Sequence, residues 1–400
     1  MSKTIIIIGA GLAGLSAALQ AAENGCNVKL VSSLPSERAQ SVMAEGGINA
    51  ALNTKDENDS PEEHFTDTIK AACGLADPNA VWGMTQAAPE LVHWLLKLGV
   101  KFNMSGYDDV DLRNFGGQKK KRTAFAQSDT GKQIMTAMID AVRRKEASGM
   151  VERFSHHSFL TLRLCGNICC GCVIRDEYSQ ETVELPGDAV IVATGGMHGL
   201  FGNTTGSLSN TGEVTAELFR LGVPLANGEM IQYHPTTVKC GGKRMLISEA
   251  ARGEGGRLFA MKDGKQWYFM EEKYPELGNL MPRDITAREI WKVSHESEVF
   301  LDMTEISEEI ISNKLSGLAD DCMTYLHKDI RKEPVSVLPG IHYFMGGILV
   351  DEQHRTPIQN LYAAGECCAQ YHGANRLGGN SLLGALYGGR VAAKSACEQV

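Results

Sequence analysis

Thr4-Ile5-Ile6-Ile7-Ile8-Gly9-Ala10-Gly11-Leu12-Ala13-Gly14 decides the fold. Four isoleucines after a threonine make a short buried strand. The glycines then follow as G-x-G-x-x-G, and Leu15 to Glu23 has helical spacing. In this order the glycines serve different ends. Gly9 makes a tight turn, Gly11 permits close backbone approach to a pyrophosphate, and Gly14 lets helix and strand pack closely. Amides at the helix start then face the phosphates with a favourable dipole. Asn27 to Val31 supplies the second strand. The acid that usually ends that strand is absent; Ser32-Ser33 stands there and Glu37 follows later, so the ribose contact is left open.

Near the other end, Asn360-Leu361-Tyr362-Ala363-Ala364-Gly365-Glu366 reads as a second buried strand closing on glycine and a carboxylate. Two such turns, far apart in sequence, suggest one FAD site built from both ends of a domain. Between them, Pro61 to Ala76 and Asn79 to Leu98 read as helices capped by Ser60 and Asp77, and Gly131 to Ser148 as a third. Val151 to Leu185 reads as strands and hairpins, and Asp188 to Thr194 as a buried return strand. The order is that of a doubly wound α/β fold in its flavin variant. Residues 236–340 carry more charge and fewer strand runs, with a helix from Ile285 to Ser294, and are read as an insertion. Lys119-Lys120-Lys121-Arg122 reads as a solvated loop.

The net charge of −9 argues against attraction to nucleic acid or to an acidic membrane. No apolar run reaches the ~18 residues of a membrane span, and the Met-Ser-Lys start has no secretory pattern, so a cytoplasmic protein without direct membrane insertion is expected. The cysteines number eleven and are expected to stay reduced. Cys165, Cys169, Cys170 and Cys172 lie on a hairpin around Gly166-Asn167; their spacing fits neither zinc nor an iron–sulfur cluster, and no metal is expected.

Five further segments join glycine or proline to a basic side chain: Gln232 to Thr236, Ser248 to Gly256, Pro282 to Asp284, His342 to Gly347, and His372 to Leu382. Arginine offers planar, bidentate donors suited to a carboxylate. At about 4 Å and an effective dielectric near 20, each cation gains roughly 4 kcal/mol against one carboxylate before desolvation. A small dicarboxylate would account for several such groups at once.

At these residues the chain resembles the fumarate reductase/succinate dehydrogenase flavoprotein family, which also contains L-aspartate oxidase. The likeness runs over nearly all of residues 3–396. It rests on Ala44-Glu45-Gly46-Gly47, Ala193-Thr194-Gly195-Gly196, His234-Pro235-Thr236, Arg252-Gly253-Glu254-Gly255-Gly256, Arg283-Asp284, His342-Tyr343, Ala364-Gly365-Glu366 and His372 through Leu382.

The resemblance implies an FAD-binding domain of glutathione-reductase type, residues 1–235 and 341–400, with an α+β capping domain at 236–340. It implies cofactor contacts at Gly9, Gly11, Ala13, Gly14, Ser32, Ser41, Ala44, Gly46, Gly47, Ala193, Thr194, Gly195, Gly365, Glu366, Ser381 and Leu382. His234, Ser248, His342 and Arg376 would hold the two carboxylates, with Glu249 orienting that shell. Flavin N5 would pass hydride to one alkene carbon and Arg283 a proton to the other. Arg252 and Glu254 would relay protons to Arg283.

Gln40 stands where respiratory members carry the histidine bonded to FAD, so non-covalent FAD is expected, with fumarate reduction favoured over succinate oxidation. The chain stops at Val400, short of the family's C-terminal helical region: either it is a short soluble member or the sequence is truncated. Electrons would come from a separate donor, one candidate being an iron–sulfur subunit that holds the chain at the inner face of the membrane. Alternatives are L-aspartate oxidase, a reductase of another unsaturated acid, and a non-catalytic flavin electron-transfer subunit.

Overall fold

The computed structural model describes residues 2–107 and 109–399. Its centre is a parallel sheet of β1 (Thr4–Ile8), β2 (Asn27–Ser32), β3 (Val151–Ser155), β4 (Ala189–Val192) and β5 (Leu361–Ala363). They stand side by side as β5-β4-β1-β2-β3. First and last strands therefore lie in one sheet, separated only by β4, with Ile8 paired to Val192 and Val192 to Ala363. Such a sheet is covered on both faces, which is why β1 is apolar without interruption.

The alternation of side chains shows in the core. Ile5 and Ile7 pack into a cluster with α1 (Leu12–Glu23), α3 (Pro78–Leu98), α4 (Thr130–Ala147) and the final helix, Asn380–Gln399. Ile6 and Ile8 face the other way, toward Leu162, Cys169, Cys172 and Ile174 of an antiparallel sheet. Each buried isoleucine contributes roughly 1.5–3 kcal/mol. That antiparallel sheet is the hairpin expected at 159–174, with Cys165 paired to Ile168 around Gly166-Asn167.

Local chemistry sets the element ends. Gly9 has φ +111°, and a Cβ there would lie 2.2 Å from the Ala193 carbonyl oxygen. A Cβ on Gly14 would lie 1.8 Å from the Gly9 carbonyl oxygen. The helix begins at Leu12, three residues before the expected start, because the end of the glycine motif is already helical. Ser60 caps α2 (Pro61–Ala72) by accepting from the Glu63 amide at 3.2 Å. Asp77 caps α3 by accepting from Asn79 and Ala80 at 2.9 and 3.2 Å. α2 stops four residues early, at the left-handed Cys73 (φ 52°).

A second apolar cluster joins Phe115 to residues from Ile247 to Val337. That stretch holds more strand than expected: Arg257–Lys262, Lys265–Trp267, Val299–Asp302 and Val335–Ser336 form a four-stranded antiparallel sheet. These strands are too short for alternation to show clearly. The anticipated boundaries at 235/236 and 340/341 fall inside two paired strands, Ile231–Cys240 and Leu338–Phe344. Their ladder slips between His234 and Thr237.

One charged segment differs from the sequence reading. Arg122, expected in a solvated loop, is fully buried. It pairs with Asp59 at 2.8 Å and Asp67 at 2.9 Å. Those partners lie about sixty residues away in sequence, beyond the reach of a local charge pattern.

Candidate active site

A cleft of about 1000 Å³ runs from the C-terminal edge of the parallel sheet to Ser248, Glu249 and Arg283. Its first half is mostly main chain. Gly9, Gly11, Ala13, Ser32, Ser41, Ala44, Gly46, Gly47, Ala193, Thr194, Gly195, Gly365, Glu366, Ser381 and Leu382 line it, with Gln40. Gly14 does not; it packs beneath the loop. The residue before α1, Gly11, offers no capping side chain. The Leu12 amide donates to Ser41 Oγ at 3.3 Å, while the helix start otherwise opens on the cleft. A missing side chain at Gly11, amides at a helix start and this volume fit the extended diphosphate of FAD. Ser32 lines the cleft; Glu37 pairs instead with Arg143 at 2.6 Å.

The second half is built from charged side chains. His234, Ser248, Glu249, Arg283, His342 and Arg376 all line the same cleft and are all buried or nearly so, except the half-buried His342. The His234 and His342 rings meet edge to face, centroids 5.1 Å apart. His234 Nδ1 sits by the Thr236 backbone, and its Nε2 is buried with no partner. His342 Nδ1 lies 2.8 Å from Thr205 Oγ1. Arg283 and Arg376 are tied through one acceptor: Gln232 Oε1 receives Arg283 at 3.1 Å and Arg376 at 3.0 Å. The Arg376 guanidinium also lies over the Tyr343 ring at 4.3 Å, and its Nε has no partner.

Glu249 joins the arginines. Its Oε2 accepts from Arg283 Nε and NH2, both at 2.8 Å. Its Oε1 accepts from the Gly116 amide at 2.9 Å and lies 3.5 Å from Arg252. Glu249 and Arg252 share one short helix, Glu249–Gly253, three residues apart, so they lie on one face. Arg252 is buried behind the cleft and does not line it. Glu254 stands apart from this chain: it pairs with Lys314 at 3.1 Å and does not line the cleft either. The expected Arg252–Glu254 relay therefore has no contact between its members, and the carboxylate beside Arg252 is Glu249.

Burial sets the protonation states. It drives His234 and His342 well below the ordinary imidazole value, helped by the Arg283 charge in both cases. Burial, with Arg283 close by, brings Arg376 down to about 9. For Glu249 burial pushes upward, but Arg283 and Arg252 outweigh it and hold the carboxylate ionised. Sequence reasoning gave two residues no role. Gln232 is one; it lies two positions before His234, the same face of a strand, which was the available signal. Glu45 is the other. It lines the cleft, its Oε2 is sealed from solvent without a partner, and burial with Asp321 and Asp129 raises it to about 8.

Comparison with known proteins agrees in extent. A model of the FAD binding domain family matches residues 4–382. The succinate dehydrogenase flavoprotein subunit of Bacillus subtilis is 44% identical over 407 residues, covering 100% of this chain and 70% of that protein. L-aspartate oxidase of Streptomyces coelicolor is 34% identical, covering 98% of this chain and 68% of that protein. Among solved structures, E. coli quinol fumarate reductase superposes with a TM-score of 0.92 at 31% identity, covering 100% of this chain and 70% of that one.

Proposed function

Because the chain belongs to the FAD-binding family of succinate dehydrogenase and fumarate reductase flavoproteins, with L-aspartate oxidase among its members, we propose that it interconverts fumarate and succinate. One observation carries this reading. The contacts among Arg252, Arg283, Arg376 and Glu249, directly or through Gln232, bring together three guanidiniums and one carboxylate, an excess of two positive charges in a buried place. Buried charge without a counter-charge is costly. A dianion with two carboxylates cancels the excess, and the unpartnered His234 Nε2 and Arg376 Nε are ready to meet it.

FAD, when bound, supplies hydride chemistry at N5. The chain's own groups do the rest. His234, His342, Ser248 and Arg376 hold the carboxylates as neutral or cationic donors. Arg283 would pass a guanidinium proton to the second alkene carbon, and the ionised Glu249, hydrogen-bonded to that guanidinium, would hand Arg283 a replacement proton only after accepting one from behind. Arg252, 3.5 Å from Glu249, would supply that proton and be reprotonated in turn from solvent, so the proposed relay runs solvent to Arg252 to Glu249 to Arg283. Stabilising charge that develops only during transfer is what accelerates the step. Gln40 lacks a nucleophilic ring nitrogen, so FAD is held without a covalent bond. No described helix is long and apolar enough to cross a membrane. In this reading a separate protein donates electrons to the flavin.

The test is anaerobic. The flavin is reduced with dithionite, fumarate is added, and return of the oxidised spectrum is expected; a spectrum that stays reduced rejects the reading. The similarity to L-aspartate oxidase supports a second reading, for which aspartate in air should yield hydrogen peroxide.

A further inference from the structure

Beneath the 376–382 turn lies a set of buried polar side chains, none of which lines the cleft. Asn49 Nδ2 donates to the Gly378 carbonyl at 2.8 Å and to Asn380 Oδ1 at 2.7 Å. Its backbone amide donates to the Gly379 carbonyl at 3.1 Å. His64 of α2 places Nε2 at 2.9 Å from the same Asn380 Oδ1. Asn380 Nδ2 donates to Thr68 Oγ1, one turn beyond His64, at 3.0 Å. All four residues are at most 2% exposed.

The chemistry of the shared acceptor fixes the arrangement. An amide oxygen only accepts, so His64 carries its proton on Nε2. Its Nδ1 is buried with no partner. Burial and the charge of Arg122 keep the imidazole neutral, down to a pKa of about 3. A neutral ring, a doubly used amide and a hydroxyl acceptor leave Asn380 one rotamer.

The turn they hold has a different duty at each end. Arg376 enters the cationic half of the cleft, while Ser381 and Leu382 begin the last helix and line the flavin half. That helix start carries the positive end of a dipole, favourable for the negative charge of a reduced flavin.

We propose that Asn49, His64, Thr68 and Asn380 are positioning residues that fix the spacing between Arg376 and the start of the last helix, so that dicarboxylate affinity and flavin potential depend on one buried cluster. This rests on the function proposed above. A displacement of ~1 Å at such a site costs up to ~100-fold in rate, and a weaker grip on the dicarboxylate goes with it.

The experiment uses the FAD-loaded protein and its His64→Leu, His64→Gln and Thr68→Val variants. Val92→Ala, in the apolar cluster that α3 forms with α1 and the last helix and outside the hydrogen-bonded set, is the control. Three quantities are read: melting temperature, malonate affinity from the flavin spectrum, and flavin potential from dye equilibration. His64→Leu is expected to weaken malonate about ten-fold or more and to lower the potential. His64→Gln, which offers an amide donor, should recover part of both. Val92→Ala should lower the melting temperature alone. If His64→Leu behaves like Val92→Ala, the cluster is merely structural and the proposal fails. If His64→Leu does not load FAD, Thr68→Val is read by the same criterion. A wild-type protein that holds FAD but ignores malonate overturns the function reading instead.

Discussion

The two halves of the cleft are made of different material. Around Gly9 to Gly14 the ligand surface is backbone, shaped by absent side chains and a helix start. Around Arg283 and Arg376 it is side chain, drawn from segments far apart in sequence and held by Gln232 and Glu249. The backbone half selects a cofactor by shape. The side-chain half is left with excess buried charge, which on the proposed function an anionic substrate would complete.

The sharpest separation of the halves is Arg283→Gln. Loss of a proton donor in the transition state costs ~10²–10⁴-fold in turnover, while FAD content should stay at the wild-type level. Steady-state rates and flavin absorbance check this; FAD lost along with activity would join the two halves.

Glu249→Gln comes next. Removing one member of a buried ion pair leaves the arginines uncompensated and costs about 3–5 kcal/mol of stability. Urea unfolding should show that loss, partly restored by added malonate. An unchanged midpoint would mean that the charges are not shielded from water.

A smaller effect tests the border between the halves. Glu45 loses its proton near 4.5 when unfolded but holds it to about 8 when folded. The unfolded chain therefore binds fewer protons across that window, and stability falls as pH rises from about 4.5 to about 8. Glu45→Gln should flatten that slope in denaturation midpoints at pH 5.5 and 8.5, values chosen on the order of the window edges. The smallest disturbance is none: on the proposed non-covalent binding beside Gln40, acid precipitation should leave FAD in the supernatant.

The backbone half was legible because its signal is contiguous. Strand, glycines and helix follow within about twenty residues, and period-2 and period-3.6 patterns need no partner to be recognised. The charged half was legible as a set of residues but not as a wiring. Glu249 and Glu254 both flank Arg252, and the family resemblance puts Glu254 in the relay and Glu249 in the shell around the substrate. Helical spacing favours the residue three before over the one two after, since only the former shares a face. Arg122 was hidden for another reason. It ends a run of lysines, and polarity along the chain cannot tell a solvated cation from one sealed against Asp59 and Asp67.

A doubly charged ligand meeting a doubly positive pocket is the central claim. The direct measurement is an equilibrium titration of the oxidised, FAD-loaded protein with malonate and, separately, with acetate, followed by flavin absorbance. Malonate should bind at one site, with acetate weaker by about 100-fold or more, as loss of about 3 kcal/mol implies. Equal affinity for the two anions, or a flavin spectrum that responds to neither, would contradict it.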